Sequence, residues 1–309
     1  MQTTYHDVRI VPNAGWDQRI LLFQYKRIVT NFAVISERYV VLIDTLVNPA
    51  TAEVMVDATR DALRNGRQLL VINTHADWDH YWGNAAFAGP GAHHPAPIIG
   101  HRLCRARVLA PESQAYLEEM QRTDRQTFAD VRLEPPSLTF DGPFAISGGD
   151  LTLELIHTPG HKPDHISVFI PEIRTLFPGD AAEDPLPFVR DAAGLVDMRA
   201  SFERMLALDP ATVLYCHAPG SYGPEVIRAN IAYFNEIERR AAAALAAGRV
   251  PEQLDTTSDV EALVDYPFAE VEHIEGLDAE EYAFYLGGHR DALRATLDYL
   301  RQQARAANP

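Results

Sequence analysis

Four side chains that can each donate to a metal ion crowd into six residues of this chain: His75, Asp77, Asp79 and His80, within Asn73-Thr74-His75-Ala76-Asp77-Trp78-Asp79-His80-Tyr81-Trp82-Gly83-Asn84. They follow the apolar run Leu69-Leu70-Val71-Ile72, which reads as a buried strand. In an extended segment alternate side chains share a side, so residues 75, 77 and 79 would face one way and His80 would add a donor after them. Imidazole and carboxylate donors at this spacing suit a divalent ion. The competing reading is a polar strand end with solvated histidines.

One criterion collects the other candidates: a His or Asp where an apolar strand runs into a Gly or Pro turn. Thr158-Pro159-Gly160-His161, Phe177-Pro178-Gly179-Asp180 and Tyr215-Cys216-His217-Ala218-Pro219-Gly220 meet it. The donor set is then His75, Asp77, Asp79, His80, His161, Asp180 and His217. Seven nitrogen and oxygen ligands are too many for one tetrahedral ion. They suit two ions that share a bridging carboxylate.

The elements that must position these residues alternate in type. Residues 8–11, 20–23 and 28–35 read as antiparallel hairpin strands. An apolar strand at 39–43 ends at Asp44, a helix covers 51–64 with Asn65-Gly66 as its stop, and the next strand, 69–72, leads into the donor cluster. Residues 89–97 form a Gly/Pro-rich loop in which His93 and His94 are exposed. A short strand at 98–99 precedes helices at 102–108 and 112–131. Strands return at 137–140, 144–146, 151–156, 165–170 and 174–177, followed by a helix at 202–208, a strand at 213–216 and a long helix at 224–247. The two halves share one pattern, which predicts two packed sheets with helices outside. From 249 the character changes: 251–279 is acidic and irregular, and 290–305 is helical. We therefore expect a catalytic domain over 1–248 and a packed extension over 249–309.

Composition narrows the partners. The 309 residues are 47% hydrophobic, enough for a substantial core. Lys and Arg number 27 against 43 Asp and Glu, a formal charge of -16, which argues against nucleic acid and for a small-molecule substrate. No apolar run approaches the roughly 18 residues of a membrane span. Met1 to Asp7 is polar, without the apolar segment of a secretory leader. Cys104 and Cys216 make no disulfide framework, and a reduced, cytoplasmic setting fits. Cys216 reads as a small buried residue at a strand end rather than a ligand. Oligomeric state is not legible.

The ordered set of Asp44 after an apolar strand, Thr-His-x-x-x-Asp-His at 74–80, Thr-Pro-Gly-His at 158–161, Gly-Asp at 179–180 and a strand-end histidine at 217 resembles the metallo-β-lactamase-fold hydrolases, over roughly residues 20–245. The resemblance implies an α+β fold, a four-layer αββα sandwich, here with a helical C-terminal extension. It implies two divalent metal ions, zinc first, with manganese or iron as alternatives. One ion would take His75, Asp77 and His161, the other Asp79, His80 and His217, and Asp180 would bridge. The implied activity is hydrolysis of a small ester, thioester, lactone or amide by a bridging hydroxide, with Asp79 and Asp180 as the catalytic carboxylates.

The chain leaves the family pattern at residue 77, where His-x-His-x-Asp-His becomes His-x-Asp-x-Asp-His. An added carboxylate makes the ligand shell more negative and favours harder ions. The flavodiiron oxygen reductases of the same superfamily carry a carboxylate there, so a di-iron redox enzyme is one alternative and a phosphodiesterase another. The chain is too short for their additional flavin domain. Asp44 reads equally as a residue that orients a ligand or as a turn residue, and His165 as a support rather than a ligand. Tyr222 and His289 read as structural residues rather than ones that reach the pocket, His157 and His101 as ordinary strand and helix residues, residues 184–190 as an apolar wall or lid, and Trp78 and Trp82 as either entrance or core.

Overall fold

The computed structural model describes residues 4–5, 7–255 and 257–307; most of the polar stretch at 1–7 lies outside them. The chain divides into two compact units. The first runs to His157 and adds Asp164–Gly179 and Ala211–Tyr222; the second comprises Thr158–Pro163, Asp180–Pro210 and the chain from Gly223 onward.

In the first unit the described strands form two sheets. The larger has eight strands in sequence order: β1 (Thr4–Tyr5), β2 (Val8–Val11), β3 (Ile20–Tyr25), β4 (Val29–Ile35), β5 (Tyr39–Ile43), β6 (Gln68–Asn73), β7 (Ile98–His101) and β8 (Leu138–Phe140). Pairing is antiparallel as far as β5, because short turns link those strands. It is parallel from β5 to β8, where crossovers intervene. The second sheet contains β9 (Phe144–Ser147), β10 (Thr152–His157), β11 (Ile166–Ile170), β12 (Thr175–Phe177) and β13 (Thr212–Val213), in the order β13-β12-β11-β10-β9. One apolar cluster draws side chains from both sheets; Phe32 of β4 and Phe177 of β12 stack at 4.9 Å between ring centroids. Their central strands are buried on both faces, which explains the unbroken apolar runs at 39–43 and 69–72.

The crossovers carry short helices. The helix expected over 51–64 is two: α1 (Pro49–Ala58) and α2 (Arg60–Arg64). The break is Thr59, whose buried hydroxyl bonds back to Met55 O and Val56 O. A one-turn helix α3 (Trp78–Tyr81) and a 3-10 turn at Trp82–Ala86 follow β6. Next come α4 (Arg102–Val108), α5 (Pro111–Thr123) and α6 (Arg125–Phe128). The single helix expected over 112–131 breaks at Asp124, which caps α6 through Thr127 N.

The second unit is helical: α7 (Ala192–Ala207), α8 (Glu225–Ala246), α9 (Val260–Val264) and α10 (Ala279–Ala307). α7 begins ten residues earlier than expected, because Asp191 caps it at Gly194 N. α10 begins eleven residues earlier and runs through Gly287-Gly288. A Cβ at Gly288 would lie 2.4 Å from the Phe188 ring, so this glycine is a packing contact and not a helix stop. α10 packs on α7, α8 and α9. His289, fully buried, donates from Nε2 to Tyr266 O (2.9 Å) and accepts at Nδ1 from the Tyr233 hydroxyl (2.9 Å); burial lowers its pKa. Its role is structural, as the sequence suggests. Among the described residues no helix is long and apolar enough to cross a membrane.

Candidate metal centre

Strand β6 ends at Asn73, and the donor stretch departs from a simple extended run. Asp77 is extended (φ -99°, ψ 149°) and opens α3, so Asp79 and His80 sit on a helical turn. The alternation expected over 75, 77 and 79 therefore stops at 77, and His80 reaches the cluster by helical geometry. Asn73 and Asn84, both buried, hold the two ends of the stretch with reciprocal amide bonds of 3.1 and 2.8 Å. Thr45 adds a hydroxyl bond to Asn84 (3.0 Å) and an amide bond to His80 O (2.7 Å). A Cβ at Gly83 would meet Thr45 O at 2.0 Å, so only glycine lets this turn close onto the loop after β5.

Asp44 gathers hydrogen bonds from Thr74 and His80. It is fully buried at φ +64°, a left-handed value that aspartate tolerates. Its Oδ1 accepts Thr74 N–H (2.7 Å), and its Oδ2 accepts the Thr74 hydroxyl (2.7 Å) and His80 Nδ1–H (2.8 Å). Since the Thr74 proton goes to Asp44, Thr74 Oγ1 must accept from His75 Nδ1 (3.0 Å). His217 Nδ1 donates to Ile28 O (2.7 Å). In all three histidines Nδ1 carries the proton, so in the neutral rings the Nε2 lone pair is the ligating one.

Those lone pairs converge with a carboxylate. His80 Nε2 and His217 Nε2 lie 3.4 Å apart, and Asp79 Oδ2 is 3.6 and 3.5 Å from them. A tetrahedral ion with ligands at about 2.0–2.1 Å places them about 3.3–3.4 Å apart. The triangle, with edges of 3.4, 3.5 and 3.6 Å, is close to that spacing. Two Nδ1-protonated imidazoles cannot hydrogen-bond through their Nε2 atoms, and a cation satisfies both. The donor set therefore fits a metal ion. Nearby, His75 Nε2 lies 3.7 Å from Asp77 Oδ2. Five of the seven expected donors thus come together in the first unit.

The remaining two come together in the second unit, with a third carboxylate. His161 Nε2 is 3.7 Å from Asp180 Oδ2, and Glu183 brings a ligand oxygen within 4.8 Å of both. Gly160, before His161, has φ +139°, and a Cβ there would come 2.5 Å from the Met198 backbone. α7 also receives Pro159 O on its Ser201 hydroxyl (2.7 Å). Helix α8 fixes the chain at Glu183 through Asn230, whose amide bonds both its N–H (3.1 Å) and its carbonyl (2.8 Å).

Several residues entered the site without a sequence signal. Arg107 of α4 is read from sequence only as part of a helix. Its Nη2 donates to Asp77 Oδ1 (2.9 Å), and its Nη1 bonds Asp164 Oδ1. Asp164, fully buried, also accepts Ala76 N–H on Oδ2 (2.8 Å). Glu183 carries no sequence signal: it stands between the Gly-Asp turn and the segment at 184–190 that reads as a wall. Cys216 Sγ lies within 4.8 Å of Asp44 and His80 donor atoms. His165 is buried with its ring 5.0 Å from His75, and no group of converging donors among the described residues includes it. Trp82 is core, edge-on to Phe128 at 5.2 Å. Tyr222 packs on Trp16 at 5.0 Å. His101 and His157 stack on each other at 4.2 Å. In the 184–190 segment Phe188 packs on Phe284 at 4.7 Å.

The profile of the Metallo-beta-lactamase superfamily matches residues 26–217. A metallo-beta-lactamase family protein of Thermus thermophilus has a similar fold, with 20% identity, a TM-score of 0.59 and 89% of each chain covered. A metallo beta lactamase from Erythrobacter litoralis gives 17% identity and a TM-score of 0.52, covering 74% of this chain and 96% of its own. A curated relative from Aspergillus versicolor, "Putative transcription factor avaE", is 24% identical over 149 residues, which are 47% of this chain and 41% of that protein; the chain spans less than half the length of that relative. At these identities the solved structures speak for the fold, an α+β arrangement with a helical C-terminal extension, and the profile match over most of the chain speaks for ancestry: this protein belongs to the metallo-beta-lactamase superfamily.

Proposed function

We propose that the chain is a metal-dependent hydrolase of a small ester, thioester, lactone or amide. The observation that carries this is the triangle of His80 Nε2, His217 Nε2 and Asp79 Oδ2, with edges of 3.4–3.6 Å and both Nδ1 protons already committed elsewhere. In this reading, which the family resemblance suggests, His75, Asp77 and His161 would hold one divalent ion, Asp79, His80 and His217 would hold a second, and Asp180 would be the shared carboxylate. This assignment follows the family's motif order. When bound, such ions polarise a carbonyl oxygen and acidify water.

The protein's own residues do the rest. Asp44 holds His80 directly and His75 through Thr74, which fixes both rings and leaves their Nε2 lone pairs as the donors a metal would take. Asp79 Oδ2 stands 3.6 and 3.5 Å from His80 and His217 Nε2 and would steer a water proton there. No serine or cysteine nucleophile is required. The formal charge of -16 supports a small substrate over a nucleic acid.

The test is metal analysis together with a panel of chromogenic esters, thioesters, lactones and phosphodiesters. Asp180→Ala and His161→Ala are expected to abolish turnover and lower metal content. Full activity in metal-free protein would overturn the proposal. Two irons per chain with visible absorption and no hydrolysis of any panel member would replace it with the redox alternative.

A further inference from the structure

Asp77 stands where the common family pattern has histidine, and a carboxylate differs from an imidazole in two ways. It brings a charge, and it offers two oxygens, so it can grip an ion through one or both. The structure answers the second difference. Arg107 Nη2 donates to Asp77 Oδ1 at 2.9 Å, and Asp77 Oδ2 lies 3.7 Å from His75 Nε2. The guanidinium is itself fixed, because its other arm bonds the fully buried Asp164. Asp164 in turn holds the Ala76 amide (2.8 Å), the peptide between His75 and Asp77. A planar fork that spans two carboxylates leaves neither much rotational freedom.

We infer that Arg107 is a positioning residue that makes Asp77 a single-point donor, the geometric equivalent of the missing imidazole, and so sets which metal the site prefers. This rests on the reading that Asp77 is a ligand. With Oδ1 occupied, Asp77 supplies one donor atom and the site keeps the low coordination number that suits zinc. With Oδ1 released, Asp77 can bind through both oxygens, which raises the coordination number and favours harder ions such as manganese. Arg107 is shared between Asp77 and Asp164, so the three together carry the same single negative charge as an unpaired Asp77. Arg107→Gln removes one positive charge as well as the fork, and a charge effect alone would move the ratio by the same amount whichever residue stands at position 77.

The experiment measures zinc and manganese dissociation constants by chelator competition, and the visible spectrum of cobalt-loaded protein, in wild type, Arg107→Gln, Asp77→His and the double variant. Arg107→Gln is expected to move the manganese-to-zinc affinity ratio about tenfold or more toward manganese, within the 10–100-fold range typical of groups that orient ligands. It should also weaken the cobalt d–d absorption, as higher coordination requires. In the Asp77→His background the same Arg107 change should leave the ratio where it was, since no second oxygen remains to release. Arg107→Lys keeps the charge without the fork and should fall between wild type and Arg107→Gln; it also serves if the glutamine variant fails to fold. An unchanged ratio in Arg107→Gln and Arg107→Lys, or an equal shift in both backgrounds, would overturn the inference and leave Arg107 a structural residue. The underlying ligand reading fails separately, if Asp77→Ala binds metal as wild type does.

Discussion

Replacing Asp44 with asparagine probes the site through atoms that are all on view. Asparagine tolerates the φ of +64° as aspartate does, so the change isolates hydrogen bonding from backbone strain. The carboxylate accepts three bonds, one on Oδ1 from Thr74 N–H and two on Oδ2 from the Thr74 hydroxyl and His80 Nδ1–H. The amide can be placed in two ways. With its oxygen at the Oδ2 position, only the Thr74 N–H faces an NH2 group; the reverse orientation loses two bonds. The first therefore wins. One buried N–H left without an acceptor costs about 1–3 kcal/mol, and two bonds that pass from a charged to a neutral acceptor each weaken by about 1 kcal/mol. The sum is about 3–5 kcal/mol in metal-free protein. Urea unfolding of that protein, with amide exchange at Thr74 as the local readout, measures it. Metal affinity should fall about 10–100-fold as His80 loses its anionic partner. A loss of stability below about 1 kcal/mol, with Thr74 N–H still protected, would refute the assignment of Asp44 as the support of both histidines.

Two other perturbations follow from single contacts. Gly160→Ala places a methyl group 2.5 Å from the Met198 backbone at φ +139°. It should destabilise the protein by about 2–4 kcal/mol and lower the metal content by shifting His161, which thermal unfolding and metal analysis would show; wild-type values for both would refute the close approach. Glu236 accepts bonds from Arg239 and Arg240, and the Arg239 bond foremost holds its carboxyl down at about 2. A depressed carboxyl adds stability above its ordinary value of 4.5 that fades as pH falls toward 2. Wild type should therefore exceed Glu236→Gln by no more than about 1 kcal/mol at neutral pH, as for a partly exposed pair. That gap should close between pH 4.5 and 2; a gap independent of pH would contradict it.

Much of the outline was legible in the chain. The apolar runs at 39–43 and 69–72 announced buried strands because both faces of β5 and β6 are covered. The seven candidates lie in short segments that follow strands or turns, and turn chemistry is local, so spacing alone could collect them, although Asp79 and His80 prove to sit on the short helix α3. Helix limits were less legible. Thr59 and Asp124 break helices through their own side-chain bonds, which periodicity does not register, and α10 runs through Gly287-Gly288, the second of which lies against the Phe188 ring.

What the sequence determined by itself is the donor inventory: which imidazoles and carboxylates exist, in what order, and that residue 77 is an aspartate. What only the tertiary structure decided is how those donors are held. Asp44 lies 30 residues before Thr74 and 36 before His80, and Arg107 lies 30 after Asp77. Pairings across such separations depend on how β5, β6 and α4 come together, which no local pattern encodes. The consequence is largest at Asp77. Counted along the chain it is one more negative charge and an argument for a harder metal. In the folded protein one of its oxygens accepts from Arg107 and the other lies 3.7 Å from His75 Nε2, a pairing that no count along the chain could show.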